Sequence, residues 1–498
     1  MSSSDGIDRL DLDALALRVL MPSFGGTTLP DGYATLLAEG LGGICLFGSN
    51  TAGGPAATRA LTDAIHAARP DAVVAVDEEG GDVARLHAVD GSPVLGPAAL
   101  GAAGDLALTR ATGEAVGREL AAAGIDLDLA PVADVNSNPD NPVIGTRSFS
   151  ADPAEAAAHV AAWVEGLRSA RVGACAKHFP GHGDTGEDSH LALPTLAAPL
   201  SLIERRELVP FAAAVAAGTS AVMTSHIVVP ALDPDLPGTL SAPVLGLLRD
   251  RLGFDGVIVS DALDMAGASG ARGIPEAAVL SLAAGTDLLC VGPDKPVSLV
   301  REIQAAIVAA VADRRLSRER LEQAARRIEA CQGQWRVGRG PVPRQAATSP
   351  AGRGSAAPGA LDPAQLAGAR KAVRTEGVLP DLRGALLVTV PTAATIAVGE
   401  VPWGLAPDAL CRPGEEPPEE VTRAQAAGRP VVAQVRDAHR RPEVGALLDV
   451  LRPAVVVEWG WPGPYDADRT AARIYTHGWS RPGAAAVTEL LRAAGWDR

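Results

Sequence analysis

Between Arg18 and Val291 a short apolar run followed by an alanine- or leucine-rich segment recurs eight times, and this alternation restricts the fold more than any other feature of the chain. The runs are Arg18–Met21, Gly43–Phe47, Ala72–Val76, Ile125–Ala130, Gly173–Ala176, Ala221–Thr224, Gly256–Ser260 and Asp287–Val291. They are continuously apolar rather than alternating, which marks strands buried on both faces, as in a parallel sheet. The segments between them, such as Ala56–Ala68, Ala154–Ala170 and Val297–Ala312, read as helices. Eight such units fit an α/β fold of the (β/α)8 TIM-barrel type. The first unit is the weakest, because Pro22 to Pro30 supplies loop residues where its helix should begin.

A last helix of this half, Ser317–Ala330, has Ser317 in a capping position. Composition then shifts to Gly, Pro, Ala, Ser and Arg without periodicity over 338–362, the signature of a linker. From Pro363 a smaller α/β unit follows, with strand-like runs at Ala385–Val390, Thr395–Val398, Val431–Val435 and Ala454–Glu458. The expected organisation is a barrel domain over 1–337, a linker over 338–362 and an α/β sandwich over 363–498. Trp403, Trp459, Trp461 and Trp479 of the second domain are read as core and interface packing, with a sugar platform as the alternative.

The formal charge of −15 disfavours nucleic acid and anionic membrane as partners, since both need a basic surface. The five cysteines are odd in number, widely spaced and free of any Cys-x-x-Cys pair, so no disulfide framework is expected and a reducing compartment is. Met1 to Arg18 lacks a signal-peptide core, and no stretch reaches the roughly 18 apolar residues of a membrane helix. A cytoplasmic location is the corresponding expectation.

Polar residues gather where the predicted strands end. Asp77 follows the third, Asp134 to Arg147 the fourth, Lys177 and His178 the fifth, Ser225 and His226 the sixth, and Ser260-Asp261 the seventh. Loops at the carboxyl ends of barrel strands converge on one mouth, so this clustering is itself a sign of an active site. The densest stretch runs from Lys177 to His190, with His178, His182 and His190 beside Asp184, Glu187 and Asp188. Asp261 leaves a β-branched run and suits either of two jobs. It is placed to attack an anomeric carbon, and it is equally placed to cap a helix over Ala262–Ala268. His190 and Asp188 are separated only by Ser189, and a carboxylate beside an imidazole suits it to donate and accept a proton near neutral pH. A rival reading of the same loop is a zinc site made of His178, His182, Asp184 and His190, although their spacing matches no metal signature. An ionised Asp77 suits a bidentate grip on sugar hydroxyls, Lys177 and His178 can donate to the same hydroxyls, and the planar fork of Arg147 can hold a hydroxyl and an acceptor together.

The string Lys177-His178-Phe179-Pro180-Gly181-His182-Gly183-Asp184 through His190, with Ser260-Asp261-Ala262-Leu263-Asp264-Met265, resembles the β-N-acetylhexosaminidase branch of glycoside hydrolase family 3. The similarity spans roughly residues 10 to 330, the extent of one barrel domain. It implies Asp261 as the nucleophile, Asp188 and His190 as an acid–base dyad, and Asp77, Arg85, Arg147, Lys177 and His178 as the sugar-gripping set. One departure is Asp82, where relatives often carry a basic residue. The implied activity is that of a retaining exo-β-N-acetylglucosaminidase on a small saccharide from cell wall or chitin, with no cofactor. Two alternatives accompany it: a phosphorylase that passes the same glycosyl-enzyme intermediate to inorganic phosphate, and a non-catalytic saccharide-binding protein.

Overall fold

The computed structural model describes residues 11–187, 193–336, 361–392, 395, 397–399 and 401–498. All eight expected barrel strands form: β1 Leu20–Met21, β2 Gly43–Leu46, β3 Val73–Val76, β4 Leu127–Asp128, β5 Gly173–Phe179, β6 Ala221–Thr224, β7 Val257–Val259 and β8 Leu289–Cys290. Strands β2 to β7 pair in parallel in chain order, and β1 pairs in parallel with β8. A parallel bridge from Val259 to Leu288 joins β7 to the β8 segment, and the Cys45 amide donates to the Pro22 carbonyl at 3.0 Å, so the ring closes as a TIM-type barrel. The first unit is irregular for the reason its sequence gives: Pro22 to Pro30 stays loop, and its helix begins at Asp31 behind Pro30.

Side chains pointing into the barrel make one apolar cluster, including Met21, Cys45, Leu129, Cys175, Val259 and Cys290. All five cysteines are buried free thiols, and four of them, Cys45, Cys175, Cys290 and Cys331, belong to this cluster. Polar groups brace the barrel wall. The Asp126 carboxylate accepts from the Val74 amide at 2.9 Å and lies 3.2 Å from His66 Nε2. The fully buried Asp287 accepts from the Ile258 amide at 2.9 Å, from Arg320 at 2.5 Å and from Arg327 at 3.3 Å, and it also pairs with Arg249. Arg320 and Arg327 lie on the helix Arg318–Arg336, whose Arg320 amide donates to Ser317 Oγ at 3.1 Å as the sequence suggests. One carboxylate therefore ties β7, the start of β8 and this last helix together.

The chain divides into two compact units, and they interleave along the sequence. The first comprises Met1–Glu78, Thr109–Val135 and Asp152–Ser355; the second comprises Glu79–Leu108, Asn136–Ala151 and Ala356–Arg498. The expected linker over 338–362 lies outside the described residues except for its last two. In the second unit a six-stranded sheet forms from β9 Arg374–Gly377, β10 Leu386–Thr389, β11 Ala409–Leu410, β12 Val431–Val435, β13 Val455–Glu458 and β14 Ala472–Tyr475. Its order is β9-β14-β13-β12-β10-β11, parallel throughout except for the antiparallel β9–β14 edge. Helices on its faces complete an α/β sandwich. The run Thr395–Val398 is not a strand: Ala397 and Val398 form a turn, and residue 396 is outside the described set. Trp459 and Trp479 are buried in the core of this unit, in keeping with packing rather than display. Among the described residues no helix is long and apolar enough to cross a membrane.

Candidate active site

Five barrel strands deliver polar side chains at their carboxyl ends. Lys177, at the end of β5 and 1% exposed, donates from Nζ to Asp77 Oδ1 at 2.6 Å, which brings the ends of β3 and β5 together. Its neighbour His178 is oriented by Asp134, a fully buried carboxylate beyond the end of β4. Asp134 Oδ2 accepts from His178 Nδ1 at 2.7 Å, while Oδ1 accepts the backbone amides of His178 at 3.1 Å and His182 at 2.7 Å. Because a carboxylate only accepts, the His178 ring carries its proton on Nδ1. The sequence places Asp134 at a strand end but assigns it no partner, and its orienting role is visible only in the fold.

His182 is set by its own turn. The Thr185 hydroxyl donates to the His182 carbonyl at 3.0 Å, so it accepts from His182 Nδ1 at 2.7 Å. Burial pushes the imidazole down to about 4, against the opposing pull of Asp134 and Asp261. His182 is therefore a neutral ring at pH 7.

Asp261 follows β7. Its amide faces Thr224 Oγ1 at 3.4 Å, and its Oδ1 accepts the next amide, Ala262, at 2.7 Å. His226 Nε2 donates to the Ala262 carbonyl at 3.0 Å, so an imidazole from the end of β6 holds the residue after it. The capping alternative fails on position: the following helix is only Ala266–Ser269, and its N-cap is Met265. Asp264 turns away to Lys295 at 2.6 Å, packed where Gly292 has φ +103° and a Cβ would lie 2.2 Å from the carboxylate. Asp128 is buried deeper. Its Oδ1 accepts the Glu78 amide at 3.0 Å, and burial raises its carboxyl well above the usual range.

The root of the histidine loop is anchored from outside the barrel strands. Arg206 bridges Asp184 and Glu207, each at 2.5 Å. Glu207 packs so closely on Gly181 (φ +133°) that a Cβ there would sit 2.7 Å from its Oε2. Burial pushes the Glu207 carboxyl up to about 7, against the attraction of Arg206. His182 and Glu207 then pull stability in opposite directions over one pH window. The depressed His182 contributes stability that is lost as pH falls from 6.5 toward 4; the raised Glu207 contributes stability that is lost as pH rises from 4.5 toward 7. Glu207→Gln removes the second effect alone. Its denaturant midpoint is expected to rise more steeply with pH between about 5 and 6.5 than that of the unsubstituted protein. Parallel profiles would contradict the opposition.

The remaining sequence candidates fall elsewhere. Asp188 and His190 lie outside the described residues. Of the rival zinc set, His178 is bound to Asp134, His182 to Thr185 and Asp184 to Arg206, and His190 is not described. Arg147 belongs to the second unit, where its Nε and Nη2 make a bidentate pair with Glu79 at 2.9 and 2.7 Å, both side chains buried. Glu79 sits in the Asp77–Arg85 stretch, yet nothing in its sequence marks it as the partner of Arg147. Arg85, in the same unit, donates to the carbonyls of Ala397 at 2.7 Å and Val398 at 3.2 Å.

Asp82, the departure noted in the sequence, has a structural reason. Its carboxylate accepts from Thr146 Oγ1 at 2.7 Å and the Trp479 amide at 3.2 Å, and it pairs with Arg436. The cation paired with Asp82 is an arginine from the carboxyl-terminal segment.

Comparison with known proteins bears on this arrangement. The model of the glycosyl hydrolase family 3 N-terminal domain matches residues 28–331. A β-hexosaminidase of Alkalilimnicola ehrlichii is 40% identical over 302 residues, covering 58% of this chain and 85% of its own. The structure of a glycoside hydrolase family 3 β-N-acetylglucosaminidase from Paenibacillus sp. FPU-7 superposes with a TM-score of 0.85 at 31% identity, covering 97% of each chain. A β-N-acetylhexosaminidase from Beutenbergia cavernae, 33% identical with a TM-score of 0.58, covers 65% of this chain and 99% of its own.

Proposed function

Because this chain belongs to glycosyl hydrolase family 3, we propose that it acts as a retaining β-N-acetylhexosaminidase with Asp261 as nucleophile. It is a glycoside hydrolase that removes terminal β-linked sugars of the N-acetylglucosamine type. In the proposed mechanism Asp261 attacks the anomeric carbon as the glycosidic bond breaks. His190, charged beside Asp188, gives its proton to the leaving oxygen. The neutral imidazole then takes a proton from water as that water releases the sugar from Asp261. Asp77, Lys177 and His178 grip the sugar hydroxyls, with Arg85 and Arg147 completing the set.

The observation that carries this reading is the state of Asp261. It is a strand-end carboxylate that caps no helix, is steadied by His226 through Ala262, and acts on His182 of the loop that leads to Asp188 and His190. The saccharide is taken to be a cell-wall or chitin fragment and the site of action the cytoplasm, for which five buried free thiols give support.

Product analysis on a chromogenic β-N-acetylglucosaminide tests the proposal. Free sugar released first as the β-anomer, with or without phosphate present, is the expected result. An α-anomer as first product would exclude the covalent route, and sugar 1-phosphate appearing only with phosphate would reassign the enzyme as a phosphorylase.

A further inference from the structure

Among the described residues, a cavity within the second unit is lined by Arg147, Arg436, Arg440 and Arg441, with Asp437 as the one carboxylate and three threonines around it. Four arginines to one acid among the described lining residues is an unusual local balance for a chain with a formal charge of −15. Two of the acids that hold these arginines, Glu79 and Asp82, do not line the cavity, whereas Asp437 does. Glu79 takes Nε and Nη2 of Arg147, and Asp82 takes Arg436. Arg440 is fixed by the Asn141 carbonyl at 2.7 Å and by Asp437 at 2.7 Å. The side chains of Arg147, Arg436 and Arg440 are only 6%, 11% and 15% exposed, so the forks are ordered before any ligand arrives. The free volume is about 30 Å³. That is room for roughly two or three water molecules, too little for a pyranose ring and enough for one planar or tetrahedral oxyanion group.

We propose that this cavity binds a small oxyanion, a carboxylate or a phosphate group. Guanidinium forks suit both, through paired charge-assisted N–H donors. The anion has two chemical sources, free inorganic phosphate or the carboxylate of an acidic saccharide. The second source rests on the proposed substrate role of Arg147, which lines the cavity.

The test is calorimetric titration of the full chain with inorganic phosphate, with N-acetylmuramic acid, and with N-acetylglucosamine as the neutral counterpart of that acidic sugar. Saturable binding of phosphate or of the acidic sugar is expected. Arg441→Gln and Arg440→Gln, each shown to be folded by its melting profile, are expected to weaken phosphate binding, or to lower the acidic-over-neutral affinity ratio, by about tenfold. Saturation by phosphate with no acidic preference assigns the site to free phosphate, and an acidic preference lost in both variants assigns it to the saccharide. No saturation by either anion, or affinities within about twofold of the unsubstituted protein in both variants, would overturn the site. Failure of the hydrolase reading would show separately, as absent turnover of a neutral N-acetylglucosaminide by the unsubstituted protein.

Discussion

Asp261→Ala is expected to lower kcat on a β-N-acetylglucosaminide by on the order of 10⁴-fold or more while leaving the melting profile unchanged. The expectation follows from what the carboxylate does and does not hold. Its Oδ1 accepts the next amide at 2.7 Å, a bond within its own turn, and the helix after it starts only at Ala266, so no helix start depends on the side chain. Without the carboxylate no glycosyl-enzyme can form, and only a nucleophile entering the vacated face restores turnover. Added azide should therefore rescue the variant and yield the α-glycosyl azide, a product of single inversion. Near-normal turnover in a preparation cleared of contaminating activity, or a β-azide product, would remove Asp261 from the nucleophile's role.

The largest stability effect is expected at the other end of the same strand pair. Asp287→Ala should cost about 3–5 kcal/mol, the loss typical when one member of a buried charge network is removed and its partners stay buried. Arg249, Arg320 and Arg327 all converge on this single carboxylate, and the Ile258 amide depends on it as well. Burial already pushes Arg249 down to about 10, against the pull of Asp287, and without that acid the guanidinium would sit among like charges. The measurement is the midpoint of the first denaturant transition, since a protein of two compact units need not unfold in one step. A midpoint shift worth less than about 1 kcal/mol would show the arginines finding water instead.

The barrel was legible because its signal is local. A run such as Val73–Val76 is apolar on both faces, and that pattern fits few settings besides a covered parallel sheet. The edges of the second sheet were not legible for the converse reason. β9 is Arg-Thr-Glu-Gly at a solvent-facing edge, and β14 contains Arg473, so neither presents an apolar run, whereas Thr395–Val398 does, and its Ala397 and Val398 form a turn. The strand-end positions of Asp77, Lys177 and His178 could be read from the sequence alone, and Lys177 meets Asp77 there. The role of Asp134 could not, because it consists of bonds to residues 44 and 48 positions away. The same limit hid Glu79 behind Arg147, 68 positions apart, and Arg436 behind Asp82. Long-range polar partnership leaves no periodicity to read.

The pairing of Asp82 with Arg436 also bears on descent. Residues 79–108 and 136–151 pack with the carboxyl-terminal half, so that half is not a cassette that recombination can swap at a single breakpoint. A lineage that inherits a basic residue at position 82 together with arginine at 436 would set two buried cations face to face. Acid at the first site and arginine at the second should therefore be gained and lost in step among chains that carry both halves.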